Sequence, residues 1–228
     1  MKLLLTNDDG IDAPGLHALA ELAGRFGRPI TVAPCLAHSG CSHRVTTDRP
    51  LRLIAHRPDW YAIEGTPADC VRVGLHTVAP DADWVLAGVN EGGNLGVDVH
   101  HSGTVAAVRE AVLHGRPGIA LSHYHKRGLD IDWDRAVRRL TPLLAELMAE
   151  SWTPGTLWNI NLPHLAADDP DPKAIFCPLE AAPLPLNYRR EEDLLHYCGD
   201  YHQRPRAPGS DVAVCFGGNI AVTRVHLF

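Results

Sequence analysis

Short, wholly apolar runs that each stop in a cluster of polar or small residues constrain this chain more than any other feature. Leu3-Leu4-Leu5 runs into Asn7-Asp8-Asp9-Gly10, Ile30-Thr31-Val32-Ala33 ends at Pro34, and Trp84 to Val89 ends in Asn90-Glu91-Gly92-Gly93-Asn94. A run that is apolar at every position, not at alternate ones, belongs to a strand covered on both faces, as in a parallel sheet. Between these runs the spacing becomes helical. Leu16 to Gly24 reads as a helix, and Thr66-Pro67-Ala68-Asp69 reads as the start of another that continues through Cys70 to His76. There Thr66 is the N-cap, Pro67 occupies the first helical position and Asp69 sits near the positive helix end. Val105, Val108 and Val112 share one face of a third helix that stops at Gly115, and Gly118 to Ser122 is a further apolar strand. Asp134 to Glu150 predicts a long amphipathic helix through Val137, Leu140, Leu144 and Leu147, with Pro142 as a point where it kinks or splits, and Trp158 to Pro163 is one more strand. The alternation predicts an α/β chain with a Rossmann-like, doubly wound, mostly parallel sheet and helices on both faces.

From about Asp168 the pattern changes to a turn-rich stretch with short strand-like pieces, and Asn219 to Val225 then alternates with period two. The expected organisation is a Rossmann-like core over 1–168, a β-hairpin extension over 169–211 that serves oligomerisation, and a C-terminal strand over 212–228 returning to the core. A chain of 228 residues is long enough for one sizeable core. Its net charge of -6 argues against polymeric nucleic acid as a partner, because phosphate backbones reward concentrated basic patches. No apolar stretch approaches membrane-spanning length and the N-terminal run is too short for a signal segment, so a cytoplasmic protein without a membrane role is expected. The 6 cysteines include no C-x-x-C pair, which fits a reduced compartment and gives no structural zinc site.

Ligands of open parallel sheets bind at the carboxyl edge of the strands, and Asp8-Asp9 sits at such an edge. Adjacent carboxylates there repel one another unless a cation lies beside them. Taken alone the pair reads equally well as a helix cap with a solvated neighbour. Ser39-Gly40 follows the second strand and Asn90 follows the next core strand, so Asp8, Asp9, Ser39 and Asn90 together offer the all-oxygen donor set that Mg²⁺ or Mn²⁺ prefers. Ser102-Gly103-Thr104 opens a helix, where free backbone N–H groups and the helix dipole favour an anion, although a plain Ser or Thr N-cap is the commoner use of such residues. Cation site and anion cradle together point to phosphoester hydrolysis, with Asp8 or Asp9 as the acid that takes a proton from the attacking water.

The successive segments Thr6-Asn7-Asp8-Asp9-Gly10, Ser39-Gly40, Gly65 to Cys70, Gly88-Val89-Asn90, Asn94-Leu95-Gly96 and His101-Ser102-Gly103-Thr104-Val105 resemble the signatures of the SurE family, in the family's order. Asn159 to Pro163 and Gly209-Ser210-Asp211 are similar to further landmarks of that family. The resemblance implies one divalent cation per subunit, Mg²⁺ or Mn²⁺, held by Asp8, Asp9, Ser39 and Asn90, and a phosphate pocket lined by Asn94, Ser102, Gly103 and Thr104. It implies a 5'-nucleotidase that hydrolyses nucleoside monophosphates, with 3'-nucleotidase and exopolyphosphatase activity as extensions, and a homodimer built through the hairpin region. The chain departs from the family pattern at Cys41-Ser42-His43-Arg44, which is bulkier and more basic than usual, and at Arg224, where proline is usual. The competing class is a nucleotide- or phosphate-binding regulator that keeps the metal pocket without turnover. A receiver-like signalling domain also pairs acids after its first strand, but this chain is longer and lacks a later phospho-acceptor Asp and partner Lys.

Overall fold

A computed structural model describes residues 1–126 and 128–228. The chain runs β1 (Lys2–Thr6), α1 (Pro14–Gly24), β2 (Arg28–Pro34), β3 (Leu53–Arg57), β4 (Trp60–Ile63), α2 (Pro67–Val73), β5 (Trp84–Glu91), α3 (Gly103–Leu113), β6 (Gly118–His123), α4 (Trp133–Ala149), β7 (Thr156–Leu162), β8 (Ala174–Phe176), β9 (Tyr188–Glu191), β10 (Leu194–Tyr197), α5 (Asp211–Phe216) and β11 (Ile220–His226). A π-helical turn, Gly74–Val78, extends α2, and 3₁₀ turns cover Gly96–His100 and Tyr201–Gln203.

Nine strands form one sheet in the order β3-β4-β2-β1-β5-β6-β7-β11-β8. The strands β4, β2, β1, β5, β6 and β7 pair in parallel, while β3 and β11 run antiparallel to β4 and β7. The chain order reverses beside β1, so the first crossover goes to β2 and a later one to β5 on its other side. This is the doubly wound arrangement, and it opens a crevice beyond the carboxyl end of β1.

Alternate side chains of the central strands feed two separate cores. Leu3, Leu5, Leu86 and Ile119 pack against α1 and α4, while Leu4, Val85, Ala87 and Ala120 pack against α2 and α3. Pro142 lies inside α4 without splitting it. A proline inside a helix costs about 3 kcal/mol, and burial of Val137, Leu140, Leu143, Leu144 and Leu147 at about 1.5–3 kcal/mol each outweighs that cost.

Three strands lie outside the expected series. The hairpin of β3 and β4 adds to the β2 edge, and every residue of β3 is exposed, so no apolar run announces it. Equally exposed, β8 joins the main sheet beside β11 instead of standing apart with the hairpin. The hairpin of β9 and β10 forms its own two-stranded sheet. Its Leu194 and Leu195 are 63% and 66% exposed, and Leu186, Tyr188 and Tyr197 are exposed too.

Candidate active site

β1 delivers the centre of the site. Its last residue, Thr6, is buried, and the chain turns sharply through Asn7, whose side-chain amide donates to the Gly10 carbonyl at 2.8 Å. That turn holds Asp8 and Asp9 at the carboxyl edge, with Asp8 5% exposed and Asp9 half-buried. On the neighbouring strand β5, the pairing with β6 loses register between Ala87 and Asn90. Gly88 makes that irregularity possible: it adopts φ +132°, and a Cβ there would lie 2.2 Å from the Leu121 carbonyl oxygen. The result places Asn90 over the cleft, with its amide nitrogen donating to the Gly92 carbonyl at 2.8 Å.

The opposite wall is a loop after β2. The His38 N–H donates to the Asp8 carbonyl at 2.7 Å, which brings Ser39 and Gly40 to the rim. Ser42 then ties this loop to the turn before α3, through its N–H to the His101 carbonyl at 3.0 Å and its hydroxyl to the His100 carbonyl at 2.7 Å. His43 donates to the buried Glu110 carboxylate at 2.6 Å, and Thr46 bonds Asp69 at 2.7–2.8 Å through its N–H and hydroxyl. The unusual segment Cys41 to Arg44 therefore serves to clamp the Ser39 loop onto α3.

α3 approaches the site end-on, with Ser102 as its N-cap accepting from the Val105 N–H at 3.0 Å. Its first residue must be glycine. A Cβ on Gly103 would lie 2.8 Å from the Asp8 Cβ and 2.9 Å from its Oδ2, so only a bare backbone admits the carboxylate this close. The Thr104 hydroxyl, fully buried, donates to Asp8 Oδ1. The anion at the positive end of α3 is thus Asp8 itself.

Burial raises the Asp8 carboxyl pKa, and the bonds from Thr104 and Gly103 only partly offset it. Asp9 is pushed up to about 6, first by burial and then by the charge of Asp8, against the Glu91 N–H that donates to it at 3.3 Å. Both shifts mark a place where negative charge is costly and a cation is welcome.

A cleft of about 220 Å³ collects Asp8, Asp9, Ser39, Gly40, Asn90, Glu91, Asn94, Asp98, His101 and Ser102. Six of the eight residues named from the sequence, Asp8, Asp9, Ser39, Asn90, Asn94 and Ser102, line it; Gly103 and Thr104 lie behind Asp8 and support it. Larger hollows exist, one of about 520 Å³ between α2 and the end of α3, but size does not mark a site for a cation and a phosphoryl group; oxygen donors and N–H groups do. Among the described residues no cluster of three or more His, Cys, Asp and Glu side chains forms a metal cage. Two carboxylates with a free-standing amide oxygen and a hydroxyl instead fit a hard, partly hydrated cation.

Sequence reasoning named Asn94 and marked Asn159 to Pro163 and Gly209 to Asp211 without a role, and it missed Asp98, Tyr201 and Arg204, which complete the floor. Asn94 is held on three sides: its N–H donates to Asn161 Oδ1 at 2.8 Å, its carbonyl accepts from Asn159 at 2.8 Å and from Asn161 at 3.1 Å, and its amide donates to Ser122 at 2.8 Å. Asp98 accepts from Arg204 at 2.6 Å and from the Tyr201 hydroxyl at 2.7 Å, both from beyond the hairpin. Burial, followed by the Asp98 charge, raises the Tyr201 hydroxyl pKa strongly. Asp211 accepts from the Gly96 N–H at 2.7 Å and the Glu180 N–H at 2.8 Å, which explains the Gly209-Ser210-Asp211 landmark as an anchor for the cleft floor. Asn159-Ile160-Asn161 was the one available signal, since polar residues alternating inside a buried strand need partners.

These features define a doubly wound α/β protein whose ligand cleft lies at the carboxyl edge of the sheet. The chain belongs to the SurE family, matching the family described as survival protein SurE over residues 3–179. A Nostoc sp. protein, provisionally named a 5'-nucleotidase, is 49% identical over 228 residues, covering 100% of each chain. The 5'-nucleotidase SurE of Brucella canis is 37% identical over 236 residues, covering 100% of this chain and 92% of its own. The crystal structure of the SurE protein from Aquifex aeolicus superposes with a TM-score of 0.90 at 29% identity, covering 100% of this chain and 94% of that one.

Proposed function

We propose that this chain is a divalent-metal-dependent phosphomonoesterase that hydrolyses nucleoside 5'-monophosphates to nucleoside and phosphate, with 3'-nucleotides and short polyphosphates as further substrates. The observation that carries the reading is the pairing of Asp8 and Asp9, both with raised carboxyl pKa, across from Asn90 and Ser39 in one small oxygen-lined cleft. The names of the curated relatives support the nucleotide as substrate. Asp8, Asp9, Ser39 and Asn90 would hold one Mg²⁺ or Mn²⁺ per subunit, and the cation supplies Lewis-acid neutralisation of the phosphoryl charge when bound.

The remaining steps belong to the chain's own groups. Asn94 and Ser102 orient the phosphoryl oxygens, while Gly103 and Thr104 keep Asp8 in place. Asp8 is committed to Thr104. Asp9 receives only the Glu91 N–H among the described residues and faces the cleft, so it is the better placed acid to take a proton as water attacks phosphorus. The P–O ester bond breaks, and the leaving sugar oxygen takes up the proton that Asp9 accepted from the attacking water, directly or through solvent, which restores the Asp9 carboxylate. The exposed apolar hairpin of β9 and β10 supports a homodimer, because an isolated two-stranded hairpin is marginal in water. Among the described residues no helix is long and apolar enough to cross a membrane, and a cytoplasmic location completes the proposal.

Phosphate release from AMP after exhaustive EDTA treatment, and after Mn²⁺ or Mg²⁺ is restored, tests the reading. Activity vanishes on chelation and returns with the ion, and Asp8→Asn and Asn90→Ala each lower kcat by about 10²-fold or more because they act on transition-state charge. AMP binding without release would make the chain a regulator, and full activity in chelated enzyme would overturn the metal mechanism.

A further inference from the structure

The cleft is large enough for a phosphoryl group and its cation but not for a nucleoside, which must project from it. On the Ser39 side the exit is closed by the bonds from Ser42 to the His100 and His101 carbonyls. On the other side one cleft residue pairs with a side chain that lies in sequence between two walls of a second hollow, Tyr124 and Lys126, and another touches a third wall directly. Glu91 pairs with His125 at 3.2 Å, and Asp98 accepts from Tyr201 at 2.7 Å. Glu91 is also the register partner of His123, so Tyr124, the next residue, emerges at the same sheet edge.

That hollow, about 720 Å³, is lined by Tyr124, Lys126, Tyr201 and His202 together with the Cys198 to Asp200 backbone turn. Its aromatic groups are braced. Tyr124 stacks on Phe216 with ring centroids 4.7 Å apart and planes 29° off parallel, so one ring face is covered from behind while the residue also lines the hollow. The Tyr124 hydroxyl lies 2.6 Å from His202 Nδ1, and the His202 ring meets both Tyr124 and Tyr201 edge-on at 5.7 and 5.9 Å. A braced aromatic ring lining a hollow next to a phosphate-sized cleft suits a flat heteroaromatic group.

We infer that this hollow is the nucleobase subsite, in which Tyr124 stacks on the base and His202 fixes the Tyr124 ring, so that these two residues set the preference for nucleotides over simple phosphomonoesters. The inference rests on the nucleotidase reading above. It assigns specificity to a joint between the end of β6 and the 3₁₀ turn after the hairpin. It also gives the cleft floor, Asp98 with Tyr201, a second role as the partition between phosphate and base.

The test compares kcat/KM for AMP with that for glycerol 3-phosphate, which carries the phosphoester but no base. Tyr124→Ala should lower the AMP value about tenfold or more, the scale of one lost base–aromatic stack, while glycerol 3-phosphate hydrolysis is unchanged. Tyr124→Phe, which keeps the ring but loses the hydroxyl contact with His202, should retain more of the preference than Tyr124→Ala, and His202→Ala, at an exposed position, should weaken it in the same direction and to a similar partial extent. An unchanged AMP preference in both Tyr124→Ala and His202→Ala overturns the subsite, as does an equal loss on both substrates in His202→Ala. A wild-type enzyme that cleaves glycerol 3-phosphate but not AMP refutes the nucleotidase reading itself, so the two failures are distinguishable.

Discussion

Replacing Thr104 by valine probes the site at the point where its structure is most specific. The side chain is fully buried, its hydroxyl donates to Asp8, and Asp8 is itself only 5% exposed. Valine keeps the shape and removes the donor. A hydrogen bond to a charged group contributes about 1.5–3 kcal/mol, and water cannot easily replace it at a position this enclosed. For a chain of this size each kcal/mol moves Tm by about 2–4 °C, so the substitution should lower the Tm of metal-free protein by about 3–12 °C at neutral pH. The loss should shrink on acidification, since a protonated Asp8 needs the donor less. Ser102→Ala is the internal control for stability and cation response in the absence of substrate, because Ser102 caps α3 through the Val105 N–H and its loss costs about 1 kcal/mol without touching Asp8. Differential scanning fluorimetry in EDTA, repeated across a Mn²⁺ titration, reads both effects: Thr104→Val should weaken the Mn²⁺-induced gain in Tm and Ser102→Ala should not. Equal Tm and equal Mn²⁺ response in Thr104→Val and wild type would refute the claim that this hydroxyl holds Asp8 in place.

Gly103→Ala should cost activity far more than stability, because alanine improves helix propensity by up to about 1 kcal/mol while its Cβ, 2.8 Å from the Asp8 Cβ, displaces the carboxylate; wild-type kcat with normal Mn²⁺ affinity would contradict this. The folded protein disfavours the charged form of Asp9, whose carboxyl is raised from 3.8 to about 6, so metal-free stability should fall as pH rises from about 4 to 6 and stay lower above that. A divalent ion needs the deprotonated pair, so the Tm gain from Mn²⁺ should be larger at pH 7.5 than at pH 5, and equal gains would sink the argument. Arg204→Ala leaves Asp98 as a buried charge with, among the described residues, only the Tyr201 hydroxyl and Leu95 N–H as donors, at a cost of about 3–5 kcal/mol in urea unfolding. Light scattering at micromolar concentration should show a dimer that Leu194→Asp with Leu195→Asp shifts toward monomer, and a wild-type monomer at every concentration would remove the proposed role of the hairpin.

How much of this was legible in the amino-acid order depends on whether the information is local. The runs at Leu3 to Leu5, Trp84 to Val89 and Gly118 to Ser122 are apolar at every position because both faces of the sheet are covered, and that alone determined the α/β class. Thr66, Pro67 and Asp69 encode their helix start within four residues, and the structure shows the full capping box. Asp8, Asp9, Ser39 and Asn90 were readable as candidates because each lies just beyond an apolar run, Asn90 directly and Ser39 a few residues on. Exposed strands such as β3 and β8 escaped notice, since an edge held by backbone bonds imposes no apolar pattern on its side chains. Tertiary structure alone decided that Thr104 serves Asp8 across 96 residues, that Arg204 pairs with Asp98 across 106, and that Asn161 grips Asn94 across 67. A polar side chain carries no mark of its partner in the sequence; only when the sheet closes and water is driven out must each buried donor find an acceptor, and that demand selects which distant residues meet.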